Sequence, residues 1–280
     1  MLTIKKLIKN GALELSNSQS AQLDSELLLC SILQMDREQL YCRLNEITTD
    51  KQISSFFELI KKRSIGVPVA YLLNHKEFRS LNFFVDQSVL VPRPETEILV
   101  DLALEESKTS SRINILELGT GSGNIAASIA KERPEALIVA IELSRDAIRV
   151  AQKNLNDLTI TNVNLCVGDW FSPIGMENFF HMVISNPPYV SNTIDKSLSD
   201  SIRFEPNISL YSRNKGFFDL EKIISKAPRF LTRKGKILLE HGETQAGLVR
   251  SHLKKNGFNR INTFRDLNKS ERVTIGWQKY

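Results

Sequence analysis

Two short segments of this chain combine residue types suited to moving a small group onto a flat nitrogen. The first is Glu117-Leu118-Gly119-Thr120-Gly121-Ser122-Gly123, which follows an apolar run from Ile113 and precedes a helical stretch from Ile125. Glycines let the backbone turn tightly and approach a ligand without a Cβ in the way. Dinucleotide enzymes use similar loops, so the glycines alone are weak evidence. Glu142 closes the next apolar run, about 20 residues on, where a carboxylate can accept hydrogen bonds from both ribose hydroxyls of an adenosine. Together they point to an adenosine-containing cofactor and leave S-adenosylmethionine and NAD both open. Glu117 favours the former, because a carboxylate beside the loop supports an ammonium group and repels a pyrophosphate.

The second segment decides between them. It is Asn186-Pro187-Pro188-Tyr189, after the apolar run Met182-Val183-Ile184-Ser185. Two prolines fix φ at consecutive positions and remove both N–H donors, leaving a stiff backbone that offers carbonyl acceptors. The Asn186 side chain adds another acceptor. A planar NH₂ group has two hydrogens to donate and a nitrogen lone pair delocalised into its π system, so it is a poor nucleophile. Accepting both hydrogens places the nitrogen and stabilises the charge that builds as it attacks a methyl. Tyr189 offers an aromatic face to a flat group. A sulfonium is an intrinsically good leaving group, so the chemistry requires neither a metal nor a covalent intermediate. Asn186, Pro187 and Tyr189 are the candidate catalytic residues, and Asn186 to Tyr189 together, Pro188 included, the candidate substrate grip.

These segments need rigid elements to hold them. From about Asn114 onward, strand-like runs (113–118, 137–141, 164–167, 181–185, 236–240, 272–277) alternate with helical stretches (125–131, 146–155). That rhythm predicts a doubly wound α/β sheet whose ligands bind outside the carboxyl ends of the strands. Residues 1–73 read instead as short amphipathic helices. Leu2, Ile4, Leu7 and Ile8 make one apolar face, and Leu23, Leu27, Leu28, Ile32 and Leu33 another. Thr49 and Gln52 fit a capping box ahead of Ile53, Phe56, Phe57 and Ile60, and Gly66 with Pro68 ends that helix. No catalytic constellation falls in 1–73, which is assigned to substrate docking. Residues 74–93 change period: Phe78, Leu81, Phe83, Val85, Val89 and Val91 around Asp86-Gln87-Ser88 suggest a β-hairpin linker. Residues 94–280 are expected to form the catalytic domain, opening with a helix over 95–106.

Composition narrows the classes. The chain has 280 residues, of which 41% are hydrophobic and 25% charged, enough for one large domain and a small one. No apolar run approaches the roughly 18 residues that cross a bilayer, and residues 1–15 lack a signal-peptide core. Cys30, Cys42 and Cys166 are scattered, as reduced thiols of a cytoplasmic protein would be. A net charge of +5 is mild, and Lys61-Lys62-Arg63 closes a helix where cations complement the dipole. His75, His181 and His252 lack metal-ligand spacing, so no metal site is expected. Ser144 and Ser172 have no partnered base. His241 is read as structural, Phe217-Phe218 as packing a helix on the sheet, Arg93 as a buttress, and Arg203 with Glu205 as ordering the loop after Tyr189.

At this point the chain resembles a known family over nearly its whole length, the bacterial release factor glutamine methyltransferases, or protein-(glutamine-N5) methyltransferases. The resemblance rests on Pro68-Val-Ala-Tyr-Leu, Glu77-Phe-Arg, Leu90-Val-Pro-Arg-Pro-Glu-Thr-Glu97, the glycine loop, Gly168-Asp169-Trp170-Phe171 and Asn186-Pro-Pro-Tyr. Arg203-Phe204-Glu205-Pro206, Leu239-Glu240-His241-Gly242 and Glu271-Arg272-Val273 complete it. Asn-Pro-Pro-Tyr is shared with DNA adenine methyltransferases; the other segments, in this order, are more specific. The resemblance implies a Rossmann-like seven-stranded methyltransferase domain behind a small helical bundle. It implies S-adenosylmethionine held by Gly119, Thr120, Gly121, Ser122 and Gly123, with Glu142 on the ribose, Trp170 flanking the adenine, and Asn186 touching both donor and target amide. The implied target is the glutamine of the Gly-Gly-Gln loop in class I release factors. The family most often carries Asp where this chain has Glu117, and often where it has Glu142; each change keeps the charge and adds a methylene.

Three other readings compete with it. A ribosomal-protein glutamine methyltransferase would use the same chemistry. A nucleic-acid adenine or cytosine amino-methyltransferase would want a clustered basic face and a target-recognition domain, neither of which the sequence offers, so no direct DNA binding is expected. A non-catalytic binding protein would have no need of an intact glycine loop, Glu142 and Asn-Pro-Pro-Tyr.

Overall fold

Parallel strands covered on both faces must be apolar almost throughout, and the runs that begin at Asn114 satisfy this. The computed structural model describes residues 2–108, 112–191 and 200–279. Contacts divide the chain into two units, Met1–His75 with Leu198–Phe204, and Lys76–Ser197 with Glu205–Tyr280.

The first unit is helical: α1 Ile4–Glu14, α2 Ala21–Leu33, α3 Arg37–Cys42, α4 Asp50–Ser64 and α5 Val69–Leu73. Its core gathers Ile4, Leu7, Ile8, Leu28, Leu29, Leu40, Phe56 and Ile60. Thr49 and Gln52 do form the capping box of α4. The apolar face expected on α2 is corrected: Leu23 is exposed, whereas Asp24, Ser25 and Glu26 are buried with Leu28 and Leu29. Ser25 explains the rotation. Its hydroxyl donates to the Ile8 carbonyl at 2.9 Å, and a Cβ on the facing Gly11 would lie 2.5 Å from that hydroxyl. The two helices meet through small residues, and the carboxylates beside Ser25 are carried inward.

The second unit opens with a hairpin, β1 Lys76–Phe78 and β2 Leu81–Phe83. Its turn is Arg79-Ser80, at φ 49° and 58°, not the expected Asp86-Gln87-Ser88. A turn does form at 86–89, where Asp86 Oδ1 accepts the Ser88 N–H at 2.8 Å, but no strands flank it. Val85, Val89 and Val91 are buried all the same. Left-handed backbone is disfavoured for Arg and Ser. Tertiary bonds compensate: the Arg79 guanidinium pairs with Asp101 and Glu132, and its backbone N–H donates to Glu97. Pro94–Thr96 then makes one 3₁₀ turn before α6, Glu97–Ser107.

The central sheet holds β3 Asn114–Leu118, β4 Leu137–Glu142, β5 Val163–Val167, β6 Phe180–Ser185, and, beyond the two-residue pair β7 Val190–Ser191 and β8 Tyr211–Ser212, β9 Leu231–Glu240, β10 Phe258–Arg265 and β11 Glu271–Gln278. The order is β10-β11-β9-β6-β3-β4-β5; β11 runs antiparallel to both its neighbours and the other pairings are parallel. Helices α7 Asn124–Glu132 and α8 Arg145–Asp157 return the chain between the first strands. Successive strands step outward from β3 to β4 and β5, then β6 begins again on the other side of β3. Such a reversal opens a crevice at the carboxyl ends of the strands. The strand β10 was missed in the sequence because it is a half-exposed edge with bulges and mixed polarity.

Candidate active site

A cavity of about 320 Å³ lies at those carboxyl ends, within the range typical of small-ligand sites. Each strand delivers part of its wall. From β3 come Gly119 to Ser122, from β4 Glu142, from the end of β5 Gly168, Asp169 and Trp170, and from β6 Asn186 and Pro188. Thr96 and Arg93, at the turn before α6, line it too.

The glycine loop is shaped by backbone geometry. Gly119, Gly121 and Gly123 all have positive φ, at 76°, 54° and 80°, which L side chains rarely adopt. Gly119 also faces the Trp170 ring, 3.4 Å from where a Cβ would lie. The N–H groups of Gly119 and Thr120 both donate to the Ile141 carbonyl, at 2.8 and 3.0 Å. Glu142 then clamps the loop: one carboxylate oxygen accepts the Gly121 N–H at 3.0 Å, and the other accepts the Ser144 N–H at 2.9 Å. A carboxylate has about four acceptor positions, so both oxygens can still take hydroxyl donors.

Glu117 is buried, and its Oε2 accepts the Thr120 hydroxyl at 2.9 Å. Its Oε1 has no partner in the protein. Burial pushes its pKa up to about 7, against the opposing pull of the Thr120 bond. Thr120 itself lines the cavity. A cationic group at this wall would satisfy the orphan oxygen and return the carboxyl to its charged form. That unmet demand, with the diol-ready Glu142, fits an adenosylated amino acid donor better than a pyrophosphate.

Asn186 stands at the cavity with its amide Nδ2 donating to Thr96 Oγ1 at 3.2 Å. With the amino end engaged, the carbonyl end is available as an acceptor. Of the other residues in this block, Pro188 lines the cavity, while Pro187 is buried beneath it. Tyr189 turns inward: its hydroxyl donates to Glu240 at 3.3 Å, its ring packs on the sheet core, and burial raises its pKa. Its backbone carbonyl accepts from Gln245 Nε2 at 3.1 Å. A Cβ on Gly216 would lie 2.1 Å from that same carbonyl, so only glycine fits there.

Other residues singled out in the sequence fall as follows. His241 is fully buried, with Nε2 on Thr274 and Nδ1 on the Gly242 carbonyl, and burial lowers its pKa. Glu205 is buried and accepts both the Val91 N–H and the Arg93 guanidinium, pinning the segment that carries Thr96. Arg203 belongs to the first unit, where it donates to the Ile65 carbonyl. Phe217 is buried in the sheet core, whereas Phe218 lines the cavity beneath the Arg213 guanidinium. Sequence reasoning missed Asn154. Buried on α8, it bonds the Ser122 carbonyl and both backbone groups of Phe84, tying the loop to the segment after the hairpin. A buried Asn on an otherwise amphipathic helix was its only signal. Among the described residues, no group of three or more His, Cys, Asp or Glu side chains is placed to hold a metal ion.

A mostly parallel sheet reversed at β3, a glycine loop clamped by Glu142 and an Asn-Pro-Pro turn beside it define an α/β methyltransferase. Residues 109–278 match the methyltransferase domain family, and residues 6–73 match the PrmC N-terminal domain. A crystal structure of a methyltransferase from Pyrococcus furiosus, 19% identical, shares the fold with a TM-score of 0.53 over 73% of this chain and 92% of that one. The chain is 38% identical over 277 residues to the release factor glutamine methyltransferase of Buchnera aphidicola subsp. Baizongia pistaciae, covering 98% of this chain and 99% of the relative. It is equally 38% identical over 277 residues to that of Pseudomonas aeruginosa, covering 99% of each. The chain belongs to the release factor glutamine methyltransferase family.

Proposed function

We propose that the protein transfers a methyl group from S-adenosylmethionine to the side-chain nitrogen of the glutamine in the Gly-Gly-Gln loop of class I peptide-chain release factors, in the cytoplasm. The observation that carries this reading is Asn186, held by Thr96 at the wall of the same cavity that the glycine loop and Glu142 enclose. When bound, the donor supplies an electrophilic methyl on a good leaving group.

The protein's own residues do the rest. Gly119 to Gly123 let the donor approach the backbone, Glu142 accepts its ribose hydroxyls, Trp170 flanks its adenine, and Glu117 behind Thr120 balances its positive charge. Asn186 Oδ1 accepts one hydrogen of the target amide, and the carbonyl-rich Pro187-Pro188 backbone accepts the other. Fixing both hydrogens orients the nitrogen lone pair and stabilises the charge that develops on it. Tyr189 supports this turn from below and bounds the pocket for the glutamine. The proton of the methylated amide leaves to water, so no side chain is required as a fixed base. Residues 1–73 serve as the docking domain for the release factor and 74–93 as the linker to the catalytic domain, 94–280.

The test is direct. The protein is incubated with a donor carrying a labelled methyl and, separately, with a release factor, ribosomal proteins and DNA, and the label is located by mass spectrometry. Label is expected on the Gly-Gly-Gln glutamine, and a Gln→Ala release factor should accept none. Label on DNA alone, or on a ribosomal protein alone, would overturn the reading.

A further inference from the structure

A buried side-chain amide has to spend its donors and its acceptor on the protein or leave them unmet. Gln245, 7% exposed at the start of the helix Ala246–Lys255, spends them on three backbone groups. Its Oε1 accepts the Gly242 N–H at 2.9 Å, and its Nε2 donates to the Tyr189 and Gly216 carbonyls, each at 3.1 Å. These partners settle which end is oxygen, because the reverse assignment would set an NH₂ against an N–H and an oxygen against two carbonyls. The backbone of Gln245 is fixed as well. Its N–H donates to the Gly242 carbonyl at 2.9 Å, and its carbonyl accepts the Val249 N–H at 3.0 Å.

The two carbonyls belong to different parts of the cavity wall. Tyr189 follows Asn186 and Pro188, which line the cavity. Gly216 lies between Arg213 and Phe218, which line it too, with the guanidinium 4.2 Å from the ring centroid. Neither segment fixes its own shape. Proline locks φ but leaves ψ free, so the direction of the Pro188 carbonyl depends on how Tyr189 is held. Asn214, Lys215 and Gly216 run left-handed in succession, at φ 53°, 55° and 83°. Non-glycine residues resist that conformation, and it persists where the surroundings impose it. The segments also meet in the short pairing of Val190–Ser191 with Tyr211–Ser212, and where Gly216 approaches the Tyr189 carbonyl too closely for a Cβ.

We propose that Gln245 is a positioning residue that clamps the Asn186-Pro-Pro-Tyr turn to the left-handed turn at 214–216, and so sets the aim of the Pro188 carbonyl and the width of the substrate side of the cavity. Two carbonyl oxygens repel each other, and one planar NH₂ with a hydrogen for each holds them at a fixed spacing. Without those hydrogens the two carbonyls turn apart. The Tyr189 peptide then shifts, and with it the ψ of Pro188. The carbonyl that accepts from the target amide loses its aim, although no group that touches donor or substrate has been removed.

The proposal rests on the transfer to a planar amide argued above, and its test separates the two. Gln245→Met and Gln245→Glu are compared with the parent for methyl transfer to a purified release factor and for donor affinity by calorimetry. In the parent, solvent exchange of the Gln245 side-chain NH₂ protons is followed by NMR. Met keeps the length of the side chain and offers neither donor nor acceptor of strength. Glu keeps the acceptor for Gly242; its neutral form donates one hydrogen and its ionised form none. Gln245→Met is expected to lower kcat about tenfold or more, the scale of a small misplacement remote from the reacting atoms, with donor affinity within about twofold of the parent. For Gln245→Glu, the ratio of its kcat to the parental kcat should fall as pH rises from about 5 to about 9, the span over which a buried carboxyl ionises. The neighbours Glu240, Tyr189 and His241 are common to both proteins and cancel in that ratio. A role confined to the start of the helix, served by the Gly242 bond, would leave the ratio flat. Folded Gln245→Met turning over at the parental rate, a flat ratio, or donor affinity falling in parallel with kcat overturns the proposal. If Gln245→Met does not fold, the pH ratio of the Glu variant decides. Both NH₂ protons should exchange slowly in the donor-free parent, and exchange as fast as that of an exposed amide overturns the clamp whatever the activity. A parent with slow exchange that leaves the release factor unmethylated sinks the functional reading alone.

Discussion

The two units treat buried carboxylates differently: the helical unit pairs both Asp24 and Glu26, whereas the sheet unit pairs Glu205 and Asp266 but leaves Glu117 and Glu240 partly unmet. In the helical unit, Asp24 is held by Arg63 at 2.7 Å and by the Ser18 and Ser20 hydroxyls. Glu26 receives Arg37 at 2.7 Å, Tyr41 at 2.6 Å and Gln22 at 2.7 Å. These donors outweigh the burial penalty and lower the Glu26 pKa. In the sheet unit, Glu117 and Glu240 each keep an oxygen without a partner, and burial lifts each pKa to about 7. A buried polar group left unmet costs free energy, and such costs concentrate where a ligand or a reaction will use them. The first pair holds a scaffold together; the second waits on chemistry.

Predictions follow this contrast from its largest consequence to its smallest. Asn186→Ala should lower kcat about 100-fold or more, since it removes a positioned acceptor at the cavity wall; steady-state turnover of the folded variant checks this, and near-parental rates would break the contrast. Asp24→Ala should cost about 3 kcal/mol of stability by leaving Arg63 buried without its partner, measured by denaturant unfolding, while donor affinity stays at the parental value. A variant of Asp24 that weakened the donor and spared stability would reverse the roles assigned to the two units.

The pH dependence sharpens the same point. The folded pKa values of Glu117 and Glu240, about 7, lie above their ordinary value of 4.5. Between those limits the folded state keeps protons that the unfolded state has released, so ν_U − ν_N is negative and stability falls as pH rises. Their combined contribution is a loss of a few kcal/mol from about pH 4.5 to 7 in the donor-free protein. Thermal unfolding across that window should show it, and Glu117→Gln should flatten part of the slope. Donor binding at pH 7 should release protons, because a cation at this wall favours ionised Glu117; calorimetry in buffers of different ionisation enthalpy reads that release. At the far end, Glu58→Ala should shift stability by no more than about 0.5 kcal/mol, as its pair with Lys62 is solvent-exposed on α4.

The signals legible in the sequence were local or periodic. The glycines at 119, 121 and 123, Glu142, the Asn186-Pro-Pro turn and the capping box at Thr49 each depend on residues close together in the chain, where residue type dictates backbone shape. What depends on a distant partner is harder to read. The α2 face was assigned by apolarity, but Ser25 against Gly11 decides it. The residue types of Asp86-Gln87-Ser88 suit a hairpin turn, but the hairpin turns at Arg79-Ser80, where Arg79 pairs with Asp101 and Glu132. Asn154 has only the faint signature of a polar residue on the apolar face of its helix, and Gly216 and the Thr96 contact to Asn186 have none.

The sequence by itself therefore determined the alternation that builds a doubly wound sheet, the loop that can cradle an adenosine, and the proton-poor turn that can grip an amide, since each is written in short-range steric and hydrogen-bond preferences. Only the tertiary structure decided that Tyr189 faces inward, that Pro188 rather than Pro187 meets the cavity, and that Thr96, 90 residues before Asn186, accepts its amide N–H. The reason is physical: a hydrogen bond across the sheet depends on where burial has removed water, and burial is a property of the assembled layers, not of the residues taken in order.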